Sequence, residues 1–197
     1  MEAKDPFVRV KGRSRTPAAD PAELDGGVQT PSRPLLMVDI DGVISLFGAP
    51  VAEQPPGATL EGSFHSIDGM PHFLSSTAAA HLLALAPLFE LVWASGWEDR
   101  ANEHLPHLLG LPAAMPFLRF ARSPGEANAH WKLEAIDTYA GRRPLAWIDD
   151  AFNGACHEWA ERREAPTLLV QTKPERGLTE TEAQRLARWA QALQAGR

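Results

Sequence analysis

The run Leu35-Leu36-Met37-Val38-Asp39-Ile40-Asp41-Gly42 constrains this chain more than any other feature. Four consecutive apolar residues read as a strand buried on both faces, as in a parallel sheet covered by helices. Two carboxylates, two residues apart, follow at once. Ligands of open α/β sheets bind beyond the carboxyl ends of the strands. Like charges this close repel, so a cation or a proton belongs between them.

The rest of the chain alternates in the way such a sheet needs. Apolar runs at 89–94, 117–120, 145–148 and 167–171 read as four more strands. Helical patterns lie between and after them. The first follows Thr77 as N-cap, the second covers 98–109 and closes at Gly110, and the third covers 130–140 before Gly141. The fourth covers 151–163, and the last opens on the capping-box pattern Thr179-Glu180-Thr181-Glu182. Its core-facing stripe is Ala183, Leu186, Trp189, Ala190 and Leu193. The expected fold is α/β: three layers, Rossmann-like, with a five-stranded parallel sheet built from right-handed βαβ units.

Two segments fall outside this alternation. Residues 1–33 lack apolar periodicity and read as a disordered N-terminal arm, leaving 34–197 as the domain. After Asp41 come Gly48, Pro50, Pro55, Pro56, Gly57, Gly62, Gly69 and Pro71, which read as loop or short hairpin rather than a helical domain.

With 197 residues and 44% hydrophobic content, one sizeable core is available. No run reaches the roughly 18 apolar residues of a membrane span, and the N-terminus lacks a secretory h-region. Cys156 is the only cysteine, so no intrachain disulfide or cysteine metal cluster can form. A cytoplasmic setting is expected. The net charge of −6 is no nucleic-acid footprint in itself, although a local basic groove remains compatible with it.

Three later places complete the acidic pair. Leu91-Val92-Trp93-Ala94 runs into Ser95-Gly96, Trp131-Lys132-Leu133 opens a helical stretch, and Leu145-Ala146-Trp147-Ile148 runs into Asp149-Asp150. Alone, Ser95 reads equally well as a cap for the next helix, and Lys132 as solvated surface. The ordered set Asp-x-Asp-Gly, Ser-Gly, Lys, Asp-Asp resembles the four motifs of the haloacid dehalogenase (HAD) superfamily, whose members are mostly magnesium-dependent phosphatases. Val92-Trp93-Ala94-Ser95-Gly96-Trp97, Pro144 to Asp150, and Gly177-Leu178-Thr179 narrow the resemblance to the HAD-type domain of Swiss-army-knife RNA repair proteins.

The resemblance implies a role for each motif. Asp39 is the expected nucleophile, forming an aspartyl-phosphate. Asp41 is the expected general acid/base, and its acidity favours phosphate chemistry over carbon–halogen cleavage. Ser95, Gly96 and Lys132 would bind the phosphoryl group. The Mg2+ ligand candidates are Asp39, Asp41 through its carbonyl, Asp150 directly and Asp149 at one remove.

With no room for a large inserted cap, the domain is expected to be capless, with a short flap after the first strand. An open site suits a large phosphorylated substrate such as an RNA or DNA end. Trp97, Arg100 and Arg122 are the candidates to contact it. A small-metabolite or nucleotide phosphatase is the alternative enzyme, and a non-catalytic phosphate-binding or partner module the alternative outside enzymes.

Overall fold

The architecture is built around the strand that the sequence singles out. In a computed structural model describing residues 33–48, 61–121 and 128–196, β1 (Leu35–Val38) lies inside a parallel sheet with no exposed side chain. Later strands β5 (Glu90–Trp93) and β6 (Leu145–Asp149) pair with it on either side. β7 (Thr167–Gln171) extends the sheet beyond β6, giving the order β5-β1-β6-β7.

Side chains alternate across a strand, so β1 feeds two cores. Leu36 and Val38 pack on one face with α1 (Ser76–Leu85), α2 (Arg100–Leu109) and α5 (Glu180–Ala195). Leu35 and Met37 pack on the other with α3 (Leu133–Ala140) and α4 (Gly154–Arg162). Three α/β/α layers follow directly from the two-sided burial of one apolar run.

The sheet has four strands among the described residues, not the five expected. The segment 117–120 makes a single parallel bridge, Phe117 to Trp93. Two hydrogen bonds hold it there, Trp93 N–H to Pro116 O and Leu118 N–H to Trp93 O. Pro116 brings no donor, and the Phe120 N–H is taken by the Glu98 carboxylate at 3.0 Å. Backbone groups that would have extended the ladder are therefore missing or engaged elsewhere.

The segment after Asp41 forms a second, antiparallel sheet. β2 (Ser45–Leu46), β3 (Gly62–Ile67) and β4 (Met70–Ser75) pair in the order β2-β4-β3. Asp68 and Gly69 both have positive φ, 50° and 79°, between Ile67 and Met70. That is the two-residue hairpin turn for which Asp-Gly is suited. β4 runs straight into α1, and Ser75 rather than Thr77 is the cap, its hydroxyl accepting the Ala78 N–H at 3.1 Å. The reason is positional: strand pairing holds Ser75 in the extended conformation a cap requires.

The remaining helices keep close to their expected limits. Gly110 ends α2 at φ 67°, and Asn153 caps α4. The capping box of Thr179 and Glu182 opens α5, whose Leu186 and Ala190 are buried. The expected N-terminal arm lies outside the described residues except for Arg33, which donates to Ala86 O at 2.6 Å. Among the described residues no helix is long and apolar enough to cross a membrane.

Candidate active site

Asp39 leaves β1 while the ladder still holds it. Its N–H donates to Ile148 O at 3.1 Å, and its own Oδ1 accepts the Ile40 N–H at 2.8 Å. The chain then coils tightly, with the N–H groups of Val43, Ile44 and Ser45 all directed at the Ile40 carbonyl. Gly42 makes the coil possible at φ +70°. A Cβ there would stand 2.4 Å from the Asp150 carboxyl carbon, so the glycine also lets the first and last acidic loops touch. Thr172 fastens this contact, its hydroxyl donating to Gly42 O at 2.8 Å. Gly177 (φ +65°) does the same further out, where a Cβ would meet Val43 O at 2.3 Å.

Lys132 ends a short 3-10 helix (Ala129–Lys132) at the mouth of α3, with 4% of its surface exposed. Its ammonium donates to Asp39 Oδ2 at 2.8 Å and to Asp149 Oδ2 at 2.7 Å. Asp149, the last residue of β6, also accepts the Ala151 N–H on Oδ1 at 3.0 Å. Both of its oxygens are therefore engaged, whereas Asp150 faces the cleft beside it.

One oxygen from each of Asp39, Asp149 and Asp150 lies within 4.8 Å of the others. Hard carboxylate oxygens in this arrangement suit a magnesium-like cation. One lysine cannot neutralise the three carboxylates and neighbouring Asp41. The donor set thus fits a divalent metal; Asp39 and Asp149 are each held by Lys132, and Asp150 is not.

The electrostatics agree. Burial, reinforced by the Asp39 charge, pushes the Asp149 carboxyl up to about 7 against the opposing pull of Lys132. The same two causes push Asp150 up to about 6. Asp41 is raised by burial and then by Asp39, while the Trp97 hydrogen bond, His72 and Lys132 pull the other way. Burial opposes the charge on Lys132, but Asp39 and Asp149 together outweigh it and hold the ammonium protonated.

Ser95 follows β5 with 1% of its surface exposed, and Gly96 comes next. Both line a cleft of about 540 Å³ together with Asp39, Asp41, Lys132 and Asp150. The Ser95 hydroxyl has no hydrogen-bond partner among the described residues. It does not cap α2, whose cap position is Asp99. An unengaged hydroxyl beside an ammonium and a backbone glycine can receive an anionic oxygen.

The remaining expected contact residues separate. Trp97 lines the cleft, and its indole N–H donates to Asp41 Oδ2 at 2.9 Å. Its ring meets His72 edge-on at 4.9 Å between centroids, and His72 Nδ1 is 2.9 Å from Ser45 Oγ. Arg100 pairs with Asp68 at the hairpin turn and does not line the cleft. Arg122 lies outside the described residues.

His72 and Phe47 were not foreseen. Phe47 is half exposed on the cleft rim. His72 lies in β4 and Phe47 directly follows β2, and no local pattern in the sequence ties that segment to Asp41.

A family model described as the HAD domain in Swiss Army Knife RNA repair proteins matches residues 35–183. The chain belongs to this family. The match runs from β1 into α5 and takes in every acidic residue of the cluster, Ser95 and Lys132. No curated protein matches the sequence. Membership points to a phosphohydrolase acting on a phosphorylated substrate, with an aspartate cluster able to bind a metal ion.

Proposed function

We propose that this protein is a magnesium-dependent phosphomonoesterase that works through an aspartyl-phosphate and acts on nucleic-acid ends. The observation that carries the reading is Lys132, buried and bridging Asp39 and Asp149 within the carboxylate cluster. A buried lysine holding two acids at a sheet's carboxyl edge does little for stability that apolar packing would not do better. It does fix a carboxylate nucleophile in place and supply positive charge where a phosphate would sit.

In the first step an Asp39 oxygen attacks phosphorus and the ester P–O bond breaks. Asp41 gives its proton to the departing oxygen. In the second step water attacks the aspartyl-phosphate, Asp41 takes back a proton, and phosphate leaves with Asp39 regenerated. Burial, which raises Asp41, suits a group that must carry a proton before it can give one. Lys132, the Ser95 hydroxyl and the Gly96 N–H receive the phosphoryl oxygens. Asp39, Asp150 and the Asp41 carbonyl would hold magnesium, with Asp149 bound to Lys132 behind them. The metal, when bound, neutralises charge on the phosphoryl group and its nucleophile.

Phe47, the residue after β2, lines the cleft, and His72 of β4 packs against Trp97, which supports reading the second sheet as a flap beside the site. Such a site leaves room for a polymer end. The family's name supports that reading; residues 34–197 are taken as the domain and 1–33 as an N-terminal arm.

The test is turnover of an aryl phosphate, and of phosphorylated oligonucleotides, nucleotides, sugars and peptides, with magnesium and with chelator. Oligonucleotide ends should give the highest kcat/KM. Equal turnover without metal would refute the mechanism, and a preference for sugar phosphates would refute the substrate.

A further inference from the structure

A second concavity of about 550 Å³ adjoins the catalytic cleft. Its walls are the irregular edge segment 117–121 and the outer face of α3. Trp131 lines both spaces and is the wall they share. Trp131 is also the residue next to Lys132, which holds Asp39. Phe117, Phe120, Trp131 and Tyr139 supply aromatic walls. Phe120 and Trp131 meet edge to face at 4.5 Å, and Tyr139 remains 38% exposed.

The polar groups are placed at the edges of this groove. The Arg119 guanidinium lies 5.2 Å from the centre of the Phe117 ring and is anchored by Glu98 and Asp99. Glu134 and Thr138 border the opposite side from α3. Aromatic faces with donors and acceptors around them fit a flat ring that has a hydrogen-bonding edge. They fit an acyl chain poorly, because it would leave the polar rim without partners.

We propose that this groove is a nucleobase subsite, holding the base nearest the scissile phosphate of a polynucleotide end. The proposal rests on the phosphatase reading and names what the leaving group carries. With the phosphate held by Lys132 and Ser95, the attached nucleoside passes over Trp131 and its base enters between Phe120 and α3. Stacking on aromatic side chains accepts any base, so the subsite confers preference for a nucleoside end without sequence specificity.

The experiment uses the full chain as Asp39→Asn, which cannot turn substrate over. The probes are oligonucleotides phosphorylated at the 5′ or the 3′ end, whose terminal nucleoside carries 2-aminopurine or is abasic, together with 2-aminopurine mononucleotides. For one of the two ends, the base-bearing oligonucleotide should bind about tenfold more tightly than its abasic counterpart, with quenched 2-aminopurine fluorescence. Thr138→Trp, which fills the groove about six residues and roughly 9 Å along the helix from Lys132, should bring that ratio close to one. Tyr139→Ala should lower it in part.

Equal binding of base-bearing and abasic ends would overturn the proposal, as would a ratio untouched by Thr138→Trp. An equally large base effect with mononucleotides would keep the nucleobase chemistry and assign free nucleotides as its source. Because binding is read on an inert variant, these outcomes stand apart from the phosphatase reading, which fails instead if the native chain hydrolyses no phosphomonoester.

Discussion

The indole N–H of Trp97 donates to Asp41 Oδ2 at 2.9 Å, tying the residue after the Ser-Gly step to the second acid of the first loop. Indole is a donor only, so it orients Asp41 without exchanging its proton. Trp97→Phe keeps the ring against His72 and removes only this bond. A hydrogen bond to a carboxylate contributes about 1.5–3 kcal/mol, so kcat should fall roughly tenfold or more. The loss should be larger for alkyl than for nitrophenyl leaving groups, with KM little changed. Steady-state kinetics on both substrates would check this, and equal slowing of the two would rule out a role through the acid.

Asp39→Asn should abolish turnover, since an amide is a poor nucleophile for phosphorus. The substitution also removes the charge that raises Asp149 and Asp150. Without metal at pH 8 the variant should therefore melt above the parent. A lower melting temperature would mean that the Lys132 contact to Asp39 outweighs the repulsion.

Lys132→Met should behave in the opposite way. It leaves Asp39 and Asp149 without the ammonium now 2.8 and 2.7 Å away. Breaking a buried pair from one side costs about 3–5 kcal/mol. The loss in denaturant midpoint should be greatest at pH 8 and smaller near pH 5, where Asp149, titrating at about 7, is protonated.

Folding stability should depend on pH with a definite sign. Asp149 and Asp150 ionise near 3.8 when unfolded but at about 7 and about 6 in the fold. Between these values the folded chain binds more protons than the unfolded chain. Their contribution to stability is thus complete below about pH 4 and is lost as pH rises through 6 to 7. The proposed magnesium ion would bind the ionised carboxylates and should therefore raise the melting temperature more at pH 8 than at pH 5. Melting curves of the metal-free chain and of Asp150→Asn across this window would check the slope, which the variant should flatten.

Gly42→Ala tests the loop contact. Its φ of +70° is costly for alanine, by about 1–2 kcal/mol, and the new methyl would meet Asp150. Lower melting temperature together with weaker magnesium binding, measured by calorimetry, is expected. Loss of stability with unchanged magnesium affinity would detach Gly42 from the metal loop.

Much of this molecule was readable without coordinates. The two-sided apolar run of β1, the alternation around it and the Thr179–Glu182 capping box are local patterns, and local patterns survive translation into structure. The acids, Ser95 and Lys132 were legible because each ends or begins a regular element, and parallel topology brings all such ends to one edge. Phe117–Phe120 was misread as a full strand because apolar composition does not reveal where Pro116 and Glu98 interrupt pairing.

The amino-acid sequence by itself determined a parallel α/β sheet with a carboxylate pair at its edge, because burial on both faces and repulsion between neighbouring charges act along the chain. Only the tertiary structure decided which oxygen meets which cation, that Trp97 holds Asp41, that His72 packs against Trp97, and that Trp131 lines two grooves. Those relations link residues far apart in the chain, as Trp97 is from Asp41. They depend on angles and depths that packing sets and that no spacing encodes.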